Sequence, residues 1–78
     1  MEKELKDLNN YFALVNLKAF CEKYGQKYDY VRQVLSGKKP MTEKFLQSLL
    51  AQMHNFEKDQ RNLASAFHKN FIEEQQED

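Results

Sequence analysis

The chain has 78 residues and no net charge, with 12 basic and 12 acidic side chains. One domain of this size buries only about 60–65% of the surface its unfolded chain exposes, so a compact helical bundle or a dimer is favoured, and a deep catalytic cleft with a supporting shell has no room. Two glycines and one proline are too little turn chemistry for a β-sandwich or barrel.

Other classes fall away for similar reasons. No apolar run approaches the roughly 18 residues of a membrane span. The charged first 15 residues lack the apolar stretch of a secretory signal, so a cytoplasmic protein is expected. Cys21 is the only cysteine. It has no disulfide or metal partner of its own kind, and its neighbours Ala19, Phe20 and Tyr24 suggest a buried, inert thiol.

In chain order, Leu5, Leu8, Tyr11, Phe12 and Val15 recur at helical spacing and predict a first helix over residues 3–14. Asn16 can cap a second, because its side-chain oxygen can accept a free N–H from the first turn. Leu17, Phe20, Cys21 and Tyr24 form its stripe, and Gly25 ends it near residue 24. Tyr28, Val31, Val34 and Leu35 predict a third helix over residues 28–36, stopped by Gly37. At least one of Tyr28 and Tyr30 is expected to pack inside, with Tyr30 favoured.

Lys38, Lys39 and Pro40 read as a loop, since the residue before proline is pushed out of the α region. Thr42 can cap a fourth helix, with Glu43 facing the helix dipole. The stripe of that helix starts at Phe45, Leu46, Leu49, Leu50 and Met53 and continues through Phe56, Leu63, Phe67 and Phe71. Residues 43–73 make either one long helix or two, and a break near His54 and Asn55 is expected. The acidic tail from Glu73 is expected to fray. The fold class is therefore all-α: a four- or five-helix bundle with an extended C-terminal helix. Residues 1–55 form the main domain and residues 56–78 a C-terminal helix with its acidic tail.

Zero net charge hides a segregation. Residues 16–44 carry seven basic and three acidic side chains, a local +4, whereas residues 45–78 carry three and six, a local −3. The basic block spans the second and third helices. These are short and joined through Gly25, Gln26 and Lys27. A helix-turn-helix requires a small residue where its helices cross, a glycine where the chain reverses, and apolar residues three apart under a polar outer face. Cys21, Gly25, and Val31 with Val34 meet those needs.

The run LKAFCEKYG at 17–25 and the run VRQVLSGK at 31–38, together with Thr42, Glu43 and Lys44, resemble the helix-turn-helix domain of the Cro and lambda-repressor family. The likeness covers residues 17–53, about half the chain. Gln26 stands where that family usually has an apolar residue, and Lys27 where it usually has a Ser or Thr cap. The resemblance implies double-stranded DNA as the partner, with the third helix in the major groove. It implies Lys27, Tyr28, Asp29, Arg32 and Gln33 as residues facing the bases, Arg32 suiting guanine and Gln33 adenine. It also implies Asn16, Lys18, Lys38 and Lys39 at phosphates. The function implied is that of a repressor-like transcriptional regulator.

Phe56, Leu63, Phe67 and Phe71 either fold back onto the first helix or form a dimer interface, and a homodimer is expected. A second class of function is a protein-interaction module, antitoxin-like or regulator-binding, that keeps the helix-turn-helix shape. Catalysis is not expected. His54 and His68 have Lys58 and Ile72 at i+4 rather than a second ligand, and there is no glycine-rich phosphate loop, so neither metal nor cofactor is implied.

Overall fold

A computed structural model describes residues 2–76. It is all-helical, with four helices: α1 (Glu2–Ala13), α2 (Leu17–Tyr24), α3 (Tyr28–Leu35) and α4 (Glu43–Gln76). Three of the four end within a residue of where their punctuation predicts. Asn16 caps α2 through its Oδ1, which accepts from the Ala19 N–H at 3.0 Å. Thr42 caps α4 in the same way, its Oγ1 accepting from the Phe45 N–H at 3.1 Å.

The expected break at His54 and Asn55 does not occur. α4 runs through both residues and on through Glu73 to Gln76 without interruption. The reason is local. No Gly or Pro occurs after Pro40, and His and Asn each disfavour a helix by only about 0.7 kcal/mol or less, too little to stop one that is already propagating. At 1.5 Å per residue α4 is about 50 Å long, which accounts for overall dimensions of 57 × 23 × 17 Å. The tip of the acidic tail, residues 77 and 78, lies outside the described residues.

The core is one cluster. Leu49 and Met53 of α4 meet Leu8 of α1, Phe20 and Cys21 of α2, and Val31 and Leu35 of α3. Leu49 is fully buried. Burial also pushes the Cys21 thiol above its usual titration range, in keeping with the inert thiol expected.

Two polar braces fix the helices around this cluster. The Asn9 side-chain amide donates to the Leu35 carbonyl at 3.0 Å, holding α1 to the end of α3. The Tyr24 hydroxyl donates to the Asp59 carboxylate at 2.5 Å, holding α2 to α4. That hydrogen bond to the carboxylate, with help from burial, pushes the Tyr24 hydroxyl up to about 12. Phe56 completes this corner, 5.7 Å from the Phe20 ring and 6.2 Å from Tyr24. It is therefore half-buried in the body of the protein.

Beyond Asp59 the packing stops. Every residue from Gln60 to Ile72 is exposed, so the second half of α4 does not fold back on α1. Truncating the seam's fully buried member tests this arrangement. Leu49→Ala should lower the unfolding free energy by about 2–5 kcal/mol in urea titration, the range for a buried leucine that leaves a cavity. A loss below about 1 kcal/mol would mean that α4 is not held through Leu49.

Candidate nucleic-acid interface

The candidate site is built on α3, and α3 is placed by its connection to α2. Gly25 ends α2 in the left-handed region at φ 72°, and its N–H and that of Gln26 both point to the Cys21 carbonyl. A Cβ at this position would meet no atom within 4 Å, so the glycine is required by backbone conformation and not by space. Gln26 is half-buried, and its side-chain amide reaches Ser48 Oγ on α4 at 3.3 Å. A polar tie to α4 thus stands where an apolar contact is usual in the resembled family. Lys27 begins α3 with extended backbone and no side-chain cap, because an ammonium has no acceptor to offer.

α3 shows two unlike faces. Val31, Val34 and Leu35 are buried, and Tyr28 packs beside them against the core. The opposite face carries Asp29 and Arg32, both exposed, and Gln33, half-buried. Arg32 lies 4.0 Å from the Asp29 carboxylate one turn away, so the two side chains share one patch. A pair this exposed adds little stability, and the guanidinium stays accessible to an external acceptor.

The tyrosines exchange the places expected for them. Tyr28 is the one turned to the core. Tyr30 sits at the open edge, its ring 5.5 Å from Phe45. The two side chains lie about 200° apart around the helix, so only one can face inward.

The end of α3 folds two lysines back toward it. The Gln33 carbonyl accepts from the N–H groups of Lys38 and Lys39 at 2.9 and 3.2 Å and from the Ser36 hydroxyl at 3.1 Å. Gly37, at φ 85°, allows the chain to turn sharply enough for this. The Lys39 ammonium rests 5.3 Å from the centre of the Tyr30 ring.

Asn16 and Lys18 stand apart at the other end of α2, about 12 Å along its axis from Gly25. Asn16 commits its oxygen to the helix cap, so its NH₂ is the group left to donate outward. Sequence reasoning missed one neighbour. Lys44 lines a cleft with Lys27, Gln26 and Tyr30. Its signal is weak but present: a lysine in the first turn of a helix, opposed to the dipole, at the edge of the basic block.

No protein-family model, curated protein or solved structure matches this chain. No helix among the described residues is long and apolar enough to cross a membrane.

Gly25 sets the angle at which α3 is presented, so it offers a direct check on this geometry. Gly25→Ala should cost about 1–2 kcal/mol, the penalty for a Cβ in the left-handed region, seen as a lower urea midpoint with an unchanged m-value. No destabilisation at all would contradict the left-handed turn.

Proposed function

We propose that this protein binds double-stranded DNA in a sequence-specific manner as a repressor-like transcriptional regulator, with α2 and α3 acting as a helix-turn-helix. The observation that carries this reading is the two-faced α3. Its apolar side is locked into the core, and its outer side presents Arg32, Asp29 and Gln33. In this reading α3 enters the major groove. Arg32 donates to a guanine, steadied by Asp29, and Gln33 pairs with an adenine. Lys27 lies at the leading end of the helix. Tyr28 packs toward the core and contributes only its edge.

Lys38 and Lys39 at one end of the motif, and Lys18 with the Asn16 amide at the other, contact phosphates and set the register. The local +4 of residues 16–44 and the resemblance of residues 17–53 to the Cro and lambda-repressor family support the same reading. The activity is binding without catalysis or cofactor, and the compartment is the cytoplasm.

A second reading is a protein-interaction module that keeps this shape. The neutral total charge and the exposed apolar side chains on distal α4 favour it.

Titration of a random duplex at rising salt separates the two. Three lysine–phosphate contacts predict a slope of about −2.7 per chain in log K against log salt. Lys38→Ala with Lys39→Ala should flatten it by about 2. Arg32→Ala should weaken binding to a selected site by about 1–3 kcal/mol and relax preference at one base pair. Affinity that is flat in salt, or untouched when Arg32 and Gln33 are both replaced by Ala, would favour the interaction module instead.

A further inference from the structure

α1 and the first half of α4 leave a groove between them that is lined by these two helices alone. Leu8 and Tyr11 on one side and Leu46, Leu50 and Met53 on the other enclose about 280 Å³. Leu8 and Met53 are buried and form its floor, whereas Leu50 is 47% exposed. Leu46, Leu50, Met53 and Glu57 follow one another at four, three and four residues. They make a single line of about 16 Å along α4, which matches about three turns of another helix.

The polar rim of this groove has one sign. Glu4 and Asp7 line it, and no basic side chain does so among the described residues. Glu57 adds a third carboxylate at the Tyr11 end. Burial, and then the Glu57 charge beside it, push the Tyr11 hydroxyl above its usual titration range.

We propose that the groove takes a basic amphipathic helix of a partner protein, its apolar side chains on Leu46, Leu50 and Met53 and its lysines or arginines toward Asp7 and Glu57. Charge complementarity selects this occupant. An acidic helix or an anionic membrane surface would meet like charge along the rim, and matched potentials are what choose a partner and speed its approach. The apolar line selects a helix, because helix-in-groove docking places anchors at i, i+3, i+4 and i+7. The groove also faces away from α3. Asn9, which ties α1 to the end of α3, lies about 200° around α1 from Tyr11. A partner held here leaves the outer face of α3 uncovered, so the inference is independent of whether α3 reads DNA.

The test is an anisotropy titration of the full chain into a labelled synthetic helix of about five turns, with leucines at i, i+3, i+4 and i+7 and lysines elsewhere. One control peptide replaces every lysine with glutamate. A second keeps the lysines and leucines but scrambles them so that no leucine stripe forms. The lysine helix should bind at least tenfold more tightly than either control. Leu50→Lys should weaken it at least fivefold, and so should the pair Asp7→Asn with Glu57→Gln. All three positions are exposed, so the far-UV helical signal should not change. Phe67→Lys adds the same charge as Leu50→Lys to exposed distal α4, and should leave binding in place. Absence of binding by the lysine helix would overturn the proposal. So would equal binding of a control peptide, or a loss with Phe67→Lys as large as that with Leu50→Lys.

Discussion

The whole arrangement depends on a single row of α4 side chains meeting three short helices at once. Leu49 stands at its centre, with Met53 one turn on and Phe56 at the edge. Helices of eight residues do not persist alone in water, because each nucleus fixes several residues for one hydrogen bond. α2 and α3 exist because α4 gives their apolar faces somewhere to go. The Tyr24–Asp59 and Gln26–Ser48 hydrogen bonds then fix how they sit on it. The orientation of Arg32 and Gln33 is thus a consequence of packing more than 15 residues away in the chain.

Much of this is legible in the residues. Asn16, Gly25, Gly37 and Thr42 act through neighbours within five residues, so they mark the limits of α2 and α3 and the start of α4 directly. The apolar periods mark the faces. The illegible part depends on distant partners. Gln26 looks like a flaw in the turn until Ser48 is brought beside it. Tyr24 and Asp59 are 35 residues apart, and no local pattern joins them. The continuity of α4 through His54 and Asn55 is hidden for a different reason. A weak helix former inside a long, otherwise favourable run does not end it, and only a Gly, a Pro or a tertiary demand for a turn would. The tyrosine assignment on α3 likewise turns on which side of a two-turn helix meets the core.

The candidate site is legible in part. Asp29, Arg32 and Gln33 share the outer face of α3, and Lys38 and Lys39 fold back to its end, as their spacing requires. Family resemblance places Tyr28 outward, and burial holds it inward. Lys44 joins the group only through the fold. The dimer candidates divide in the same way. Phe56 belongs to the body, while Leu63, Phe67 and Phe71 extend beyond it. The two halves of α4 thus differ on one continuous face: the first builds the platform for α3, and the second leaves its apolar side chains exposed.

The proposal that α3 is the reading element is tested most directly by mapping backbone amide shifts as a short duplex is added to the isotopically labelled protein. The account predicts the largest changes at Asp29, Arg32, Gln33, Lys38 and Lys39, with residues 60–72 nearly unmoved. Changes confined to distal α4, or none on α3 at a duplex concentration that saturates binding, would contradict it.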